Sequence, residues 1–246
     1  MSESRPTRWS APGRVLAVVG ASGGVGTTTL VAAVGAQVVR GGRSCAVVDL
    51  QRGGGGLDVP YAVEHVPGVR WVDLAHVAGP VDGAALLPRL PSAGGVRVLA
   101  HAREPGPAPE AGSCAEVIEG LRAQVDAVVL DVPREVTDEL LCRFDVAVVV
   151  AGTGVLELSG LAAAGRRVAD QVEQTWVILR GRRESAALGE EVHRALELPV
   201  LGWLRDDPRV GRNLARGRGP AVNGPVGRLA RLLLDAACPQ PAAVAS

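Results

Sequence analysis

A glycine-rich segment, Ala21–Thr29, directly follows a short apolar run and ends in three consecutive threonines. Glycines allow the backbone to bend so that successive N–H groups point inward, and the dipole of a following helix adds partial positive charge at the same place. Such an anion nest suits a polyphosphate, and the first or second threonine after Gly26 can place its hydroxyl on Mg²⁺. The predicted phosphate-binding residues are Gly23, Gly24, Val25, Gly26, Thr27, Thr28 and Thr29.

Two acidic residues and an amide stand at the ends of later apolar runs. Asp49 and Gln51 lie where the second run ends, and Asp131 lies near the end of the fourth. Ligands of open parallel sheets bind at the carboxyl ends of the strands, which favours a position beside a metal for Asp131 over the alternative of a helix cap. Four successive glycines, Gly53–Gly56, come next in the chain. A flexible turn is one interpretation of them, and we favour a switch-like loop.

Seven short Val-rich runs recur along the chain, and they are continuous rather than alternating, which is typical of strands buried on both faces. They are Val15–Val19, Cys45–Leu50, Val96–Ala100, Ala127–Val132, Val146–Ala151, Trp176–Leu179 and Pro199–Leu204. The segments with helical spacing between them are Thr28–Arg40, Ala84–Leu90, Ala115–Gln124, Thr137–Phe144, Leu158–Val172, Ser185–Leu196 and Val226–Ala237. This alternation predicts an α/β fold, a doubly wound and mostly parallel sheet of about seven strands with helices on both faces.

The 246 residues are enough for one α/β domain and few for two. We expect a single domain over residues 14–237, a disordered leader over residues 1–13 and a disordered tail over residues 238–246. The N-terminal residues lack the apolar segment of a signal peptide, and no apolar run reaches the roughly 18 residues of a transmembrane helix. The four cysteines lack CxxC spacing, so we expect reduced thiols in a cytoplasmic protein.

Charge and aromatic content exclude some functions. The chain has 26 arginines, no lysine and 26 acidic residues, so its formal net charge is zero. A wholly basic surface for coating DNA or acidic lipid is therefore excluded, although a local patch is not. Only six residues are aromatic, which argues against proteins that stack nucleic-acid bases on aromatic faces. The histidines have no metal-ligand spacing; they are His65, His76, His101 and His193.

The segment GASGGVGTTTL, residues 20–30, resembles the deviant Walker A loop of the MinD/ParA ATPases, which reads KGGxGK[ST]. The resemblance covers about residues 14–237 and implies a P-loop fold that binds ATP and Mg²⁺ through the loop residues named above. It implies that Thr28 is the metal-binding hydroxyl. Thr27 falls at the ordinary P-loop lysine, and Ser22 falls at the signature lysine that in this family reaches the nucleotide of the other subunit. Both lysines are missing.

Two later segments continue the resemblance. Val47–Asp58 is similar to the stretch after the family's second strand, with Asp49 at its first acidic position. Gln51 occupies the second acidic position, which the family uses near the attacking water, so Asp49 and Gln51 are the candidate catalytic residues. Ala127–Glu135 resembles the Walker B region, which implies that Asp131 lies beside the Mg²⁺.

The C-terminal half matches the family less completely, and one internal segment points to a subgroup. Leu198–Val210 resembles the segment that flanks the base, whereas Arg180–Glu184 stands where the family has an adenine-reading asparagine. Pro67–Pro91 resembles actinobacterial CpaE/TadZ-like proteins of the septum-site-determining (Ssd) type. This implies a positioning or regulatory protein for septum placement or for a pilus or secretion machine. It also implies a homodimer, division-site or Flp/type IV pilus secretion proteins as partners, and recruitment to the septum, a pole or the inner membrane face.

Two segments suggest other partners, although neither is favoured. Arg205–Arg218 is arginine-rich on an expected helix, and ParA relatives bind DNA through such patches; a solvated helix face is the favoured interpretation. Val226–Ala237 is amphipathic, as are the membrane-binding helices of MinD relatives, but it is short and we expect it to pack against the sheet.

The missing lysines separate nucleotide binding from hydrolysis. Loss of one charge-assisted contact costs about 1.5–3 kcal/mol, or roughly one to two decades in affinity. Hydrolysis suffers more, because positioned charge is the main device of phosphoryl transfer. By sequence, Arg52 is the nearest cation that could replace the lysine, although a solvated arginine at the start of a loop is the favoured interpretation. We therefore expect weak ATP binding with negligible hydrolysis; the alternatives are an active ATPase that partitions DNA or polar cargo, and a nucleotide-free scaffold.

Overall fold

The computed structural model describes residues 12–52, 55–103, 106–107 and 109–237. The expected disordered tail lies outside the described residues, as do residues 1–11 of the expected leader. Gly13 belongs to that leader, yet its N–H donates to the Arg122 carbonyl at 3.1 Å and its carbonyl accepts from Arg122 Nε at 2.9 Å. Gly13 is therefore hydrogen-bonded to the last residue of the helix that ends at Arg122, directly before the first strand.

Eight strands form one sheet in the order β3-β4-β2-β5-β1-β6-β7-β8 within the described residues. Their bounds are β1 Arg14–Gly20, β2 Cys45–Asp49, β3 Ser92–Ala93, β4 Val96–Leu99, β5 Ala127–Val132, β6 Val146–Gly152, β7 Gln174–Arg180 and β8 Val200–Leu204. All seven predicted runs are strands, and every pairing among them is parallel. The eighth, β3, pairs antiparallel with β4 and has only two residues, too few to show a periodicity.

Ten α-helices accompany the sheet in the part of the chain that is described. Their bounds are α1 Thr27–Arg40, α2 Asp58–Tyr61, α3 Trp71–Leu74, α4 Gly83–Leu86, α5 Ala111–Arg122, α6 Asp138–Leu141, α7 Val155–Ala169, α8 Ala186–Leu196, α9 Pro208–Leu214 and α10 Pro225–Ala237. The predicted helix Ala84–Leu90 is only α4 and a 3-10 turn, because Pro88 has no N–H with which to continue an α-helix. The helix predicted over Thr137–Phe144 is the single turn α6.

Helices cover both faces of the sheet, which explains why the strands are continuously apolar. Alternate residues of β1 point into two separate cores: Leu16 and Val18 pack in one, Ala17 and Val19 in the other. The first core is completed by apolar residues of α1, α2 and α10, and the second by those of α3 to α8. Leu229 and Leu233 of α10 are buried against α1 and the sheet, whereas Leu232 is 46% exposed. The predicted packing of α10 is therefore confirmed for one face of the helix.

Helix α1 comes close to the sheet at Gly35. A Cβ on this glycine would lie 2.6 Å from both Tyr61 Oη and Val47 Cγ1, and the Tyr61 hydroxyl is fixed there by donating to the Ala32 carbonyl at 2.8 Å. Because α1 begins at the glycine-rich loop, this contact helps to set the position of the loop over the sheet.

We expect Gly35→Ala to destabilise the fold. The added methyl meets two fixed neighbours, and overpacking of this kind costs about 1–3 kcal/mol. The gain in helix propensity returns up to about 1 kcal/mol, so we expect a net loss of roughly 1–2 kcal/mol in the free energy of unfolding, measured by urea denaturation. Gly189→Ala in α8 is the matched control, since its Cβ meets only Val200 Cγ1 at 4.0 Å. The control should be neutral or slightly stabilising, and equal effects of the two substitutions would contradict the close approach of α1.

Candidate functional site

The glycine-rich loop connects β1 to α1 at the carboxyl edge of the sheet. Its first N–H, that of Ala21, donates to the Val150 carbonyl of β6 at 2.9 Å, which fixes the start of the loop. Gly24 and Gly26 have positive φ angles of 75° and 92°, and Gly26 directly precedes the first residue of α1. Only glycine adopts this backbone readily, so these two residues allow the loop to turn into the helix N-terminus. Of the seven predicted phosphate-binding residues, Gly23–Gly26 therefore form the turn, and Thr27–Thr29 are the first three residues of α1.

The predicted metal pair lies beside this turn. The Thr28 hydroxyl donates to Asp131 Oδ2 at 2.5 Å, and Asp131 is only 1% exposed at the end of β5. Gln51 joins the same cluster, since its Nε2 donates to Asp131 Oδ1 at 3.1 Å and to the Thr27 hydroxyl at 3.4 Å. Residues from α1 and from the segment after β2 thus meet at the buried carboxylate of β5.

Asp49 lies next to Asp131 in the parallel register of β2 and β5, and it has a different set of partners. Its two carboxylate oxygens accept from the N–H groups of Gln51 at 2.9 Å and Leu57 at 2.8 Å. Its carbonyl accepts from the Trp71 indole at 2.6 Å. This candidate catalytic carboxylate is therefore occupied in holding the backbone segment that follows β2.

Both carboxylates titrate abnormally. Burial raises the pKa of Asp49 to about 7; the charges of Asp131 and Asp58 add to the rise, and the two backbone N–H donors oppose it. Burial also raises the pKa of Asp131, against the hydrogen bonds from Thr28, Gln51 and Thr27. Two buried, adjacent carboxylates disfavour simultaneous ionisation, and a divalent cation would relieve that cost.

Arg180 is the cation that the structure brings to the loop. It is the last residue of β7, and its Nη1 donates to the Val25 carbonyl at 3.3 Å, while its Nη2 pairs with Asp206 Oδ1 at 2.7 Å. Arg52, the cation nearest in sequence, instead lines a separate cavity together with Trp71 and His101. One feature of the sequence pointed to Arg180, namely that the resemblance aligns Arg180–Glu184 with the adenine-reading asparagine of the family.

A cavity of about 280 Å³ opens between the loop and the ends of β6 and β7. The glycine-rich loop forms one wall, and the charged residues of the other walls are two arginines and two carboxylates: Arg180, Arg182, Glu157 and Asp206. The Glu157 carboxylate is held at the start of α7, where it accepts from the Gly154 N–H at 2.9 Å. The cavity thus joins a phosphate-type turn to a wall of balanced charge.

The signature-lysine position, Ser22, has a buried hydroxyl without a hydrogen-bond partner in the described part of the chain. Helix α7 packs closely against the neighbouring Ala21: a Cβ built on Gly160 would lie 3.1 Å from the Ala21 carbonyl oxygen. A serine here cannot supply the charge of a lysine that reaches another subunit.

The expected switch-like loop is described only in its second half, because Gly53 and Gly54 lie outside the described residues. Arg103 holds this half: its Nη1 donates to the Gly55 carbonyl at 2.9 Å, and its Nη2 pairs at 2.9 Å with Asp58, whose side chain is 2% exposed. The loop is thereby connected to the segment after β4.

The other chemical groups of the sequence form no further centre among the described residues. No three His, Cys, Asp or Glu side chains there could hold a metal ion together. Cys45, Cys114 and Cys142 are free thiols, and Cys238 lies outside the described residues. None of the helices described here has the length and apolar character needed to cross a membrane.

The raised pKa of Asp49 predicts a pH-dependent stability. Because the folded-state pKa of about 7 lies above the ordinary value of 3.8, the folded state binds this proton more tightly than the unfolded state does. Stability from this group is fully present below the ordinary pKa and is lost as pH rises towards and through 7. One pKa unit corresponds to about 1.36 kcal/mol, so the expected loss is on the order of a few kcal/mol.

Asp49→Asn removes this titration, although its amide can accept only one of the two backbone N–H groups. We therefore expect a lower stability at acid pH and a flatter decline between pH 4 and 8, measured by urea denaturation across that range. Asp170→Asn, an exposed carboxylate at the end of α7, should keep the pH dependence of the unaltered protein. Parallel curves for the unaltered protein and Asp49→Asn would contradict the assignment.

Comparison with known proteins gives relatives of limited coverage. No protein-family model matches the chain. An uncharacterised protein found in two strains of Mycobacterium tuberculosis is 30% identical to it over 208 residues, which are 83% of this chain and 58% of the relative. The chain thus spans little more than half the length of the curated relatives it matches.

Solved structures identify the fold. A ParA family ATPase from Chlorobium tepidum matches with a TM-score of 0.73 and 17% identity, over 93% of this chain and 98% of that one. The septum-site-determining protein MinD from Pyrococcus horikoshii, complexed with Mg-ADP, matches with a TM-score of 0.72 and 20% identity, over 91% of this chain and 95% of that one. A chain of the MinC:MinD complex from Aquifex aeolicus matches with a TM-score of 0.71 and 18% identity, over 90% of this chain and 95% of that one. The resemblance noted in the glycine-rich loop is confirmed at the level of the fold: this chain folds as the MinD and ParA P-loop ATPases do.

Proposed function

We propose that this chain is a nucleotide-binding regulatory protein that holds Mg-ATP or Mg-ADP weakly at the Ala21–Thr29 loop and hydrolyses ATP negligibly. The observation that carries the proposal is the contact between Thr28 Oγ1 and Asp131 Oδ2, 2.5 Å apart at the N-terminus of α1. A threonine hydroxyl and a buried strand-end carboxylate meet there next to a turn that is suited to phosphates.

The residues present fit magnesium and a polyphosphate in part. Mg²⁺ prefers oxygen ligands and is commonly held by one or two protein oxygens together with phosphates and water. Thr28 would hold the ion directly, with Asp131 beside it, and the N–H groups around Gly23–Thr29 would hold the phosphates. The bound ion would supply positive charge at the phosphates, and it would also offset the burial of the Asp131 carboxylate.

Hydrolysis is disfavoured by the same residues. Thr27 replaces the lysine that would place charge beside the transferred phosphate, and Thr27 is itself buried and bonded to Gln51. Gln51, whose amide donates to Asp131, puts a neutral group where the resemblance implies a carboxylate near the attacking water. Positioned charge and a positioned water are the two main devices of phosphoryl transfer, and both are weakened here.

We place this activity in septum-site determination or in the localisation of a pilus or secretion machine, as for the CpaE/TadZ/Ssd-type proteins. The Pro67–Pro91 segment supports the subgroup, and the MinD fold supports a positioning role. Val155 and Leu156, which are 84% and 87% exposed at the start of α7, give an apolar surface beside the cavity for a protein partner. The partners proposed are a second copy of the chain and division-site or Flp/type IV pilus secretion proteins, met in the cytoplasm or at the septum, a pole or the inner membrane face.

DNA or membrane contact remains a secondary proposal. In the arginine-rich segment, Arg205 pairs with Glu184 and Arg209 with Asp207, each at 3.8 Å, which reduces the charge available to phosphates. The apolar face of α10 is used in the core, so little of it is left for a bilayer.

Magnesium-dependent binding tests the proposal. We expect isothermal titration with ADP and ATP to give micromolar to millimolar affinity that falls when Mg²⁺ is omitted. Thr28→Ala should abolish the Mg²⁺ dependence and lower the affinity about 10- to 100-fold, as for loss of one charge-assisted contact. Thr28→Ser is the matched control, because it keeps the hydroxyl and should bind nearly as the unaltered protein does. Absence of heat and of thermal stabilisation at millimolar nucleotide would establish the nucleotide-free scaffold instead.

Turnover distinguishes the regulatory protein from an active ATPase that partitions DNA or polar cargo. We expect phosphate release from Mg-ATP by the unaltered protein to equal that of Thr28→Ala, because the missing lysine charge limits both. The measurement is a coupled phosphate assay at saturating Mg-ATP, with Ser159→Ala on the exposed surface of α7 as the control for preparation quality. A rate clearly above that of Thr28→Ala would favour the active ATPase.

A further inference from the structure

The guanidinium of Arg180 lies directly against the glycine-rich loop. A Cβ built on Gly26 would be 2.7 Å from Arg180 Nη1, so the guanidinium lies directly against the backbone of the loop at this residue. The parallel register of β7 carries Arg180 to the same sheet edge as the loop, opposite Gly152 of β6. The pairing of β7 with β6 therefore positions Arg180 against the loop.

We propose that Arg180 supplies the positive charge to the phosphates of the bound nucleotide that the P-loop lysine supplies elsewhere in this fold. The inference rests on the proposed nucleotide binding and deepens it. The chain contains no lysine, so a side-chain cation at the phosphates has to be arginine or a protonated histidine. Among the described arginines that line the cavity, Arg180 is the one whose guanidinium is hydrogen-bonded to the loop. Guanidinium groups bind phosphate oxygens with two parallel N–H bonds, which a lysine cannot do.

Asp206 sets the strength of this contact. It holds Nη2 of Arg180 at 2.7 Å and thereby orients the guanidinium, but its negative charge also faces the cavity that the phosphates enter. The pair is open to solvent, with side-chain exposures of 36% and 63%. Solvent-exposed ion pairs of this kind are weak, so a phosphate with several charged oxygens can compete for the arginine. Asp206 thus orients Arg180 while lowering the affinity for any anion.

The experiment compares Mg-ADP with Mg-pyrophosphate by isothermal titration on the full chain. Arg180→Ala should weaken both ligands about tenfold or more, because a charge contact to phosphate does not depend on the base. Arg180→Lys should bind both ligands more tightly than Arg180→Ala but less tightly than the unaltered protein, since it keeps the charge and loses the two parallel N–H bonds. Arg182→Ala is the matched control, because Arg182 lines the same cavity but makes no hydrogen bond to the loop in the described part of the chain. The affinity of this variant for both ligands should differ less than threefold from that of the unaltered protein. Thermal unfolding without ligand checks that each variant is folded.

The outcomes separate this inference from the function on which it rests. Failure of the unaltered protein to bind either ligand overturns the proposed nucleotide binding itself. Binding by the unaltered protein with undiminished binding by Arg180→Ala overturns only the role of Arg180. Loss of ADP binding with retention of pyrophosphate binding also overturns it, because the arginine would then contact the base or the ribose.

Asp206→Asn tests the same contact in the opposite direction. The asparagine oxygen can still accept from Arg180 Nη2, whereas the negative charge is removed. We expect a several-fold gain in affinity for both ligands, reduced at high salt because the interaction is electrostatic. An unchanged or lower affinity in a folded Asp206→Asn variant would contradict competition between Asp206 and phosphate.

Discussion

Two buried carboxylates at the ends of neighbouring parallel strands constrain the whole carboxyl edge of this sheet. Asp49 and Asp131 are each 1% exposed and lie opposite each other in the β2–β5 register. A buried carboxylate without partners is costly, so each must find donors nearby. Asp49 finds them in the backbone of the segment after β2, and Asp131 finds them in Thr28 and Gln51. The path of the segment after β2 and the position of the start of α1 are therefore both tied to the hydrogen bonds that these two carboxylates require.

Charge balance is the second constraint. The P-loop fold usually concentrates lysine charge around its phosphate turn, and this chain has none. At the loop itself, the neutral side chains of Thr27, Thr28 and Gln51 surround Asp131. The guanidinium that contacts the loop belongs to Arg180 of β7, and it is paired with Asp206. An arrangement of this kind has a turn shaped for anions but little uncompensated positive charge. The proposed function therefore assigns the site to binding a nucleotide and not to hydrolysing it, because binding needs only a favourable charge balance whereas catalysis needs charge placed at the transition state.

The sequence predicted those parts of the structure that depend on local pattern or on a strand end. The seven parallel strands were found because burial on both faces leaves continuous apolar runs, and the meeting of Thr28 with Asp131 followed from a loop and a strand end at one sheet edge. The single-turn helices α2 and α3 were not predicted, because four residues are too few to show a helical periodicity. Arg180 was missed as the loop cation because its position is set by the register of β7, whereas sequence distance pointed to Arg52.

The cluster around Asp131 also connects the proposed binding site to the rest of the edge. Gln51 bonds Asp131 and Thr27 through its side chain, and its N–H donates to Asp49, which in turn holds Leu57. An ion held by Thr28 would compete for the Asp131 oxygens that Thr28 and Gln51 now bond. Release of the Gln51 amide would then affect the position of the Gly55–Asp58 segment. The effect would pass through Asp49, which accepts hydrogen bonds from the N–H groups of both Gln51 and Leu57. A ligand shifts a conformational equilibrium only by its difference in affinity for the two states. In the proposed regulatory protein, that difference would arise from whether the Gln51 amide is bound to Asp131 or released from it.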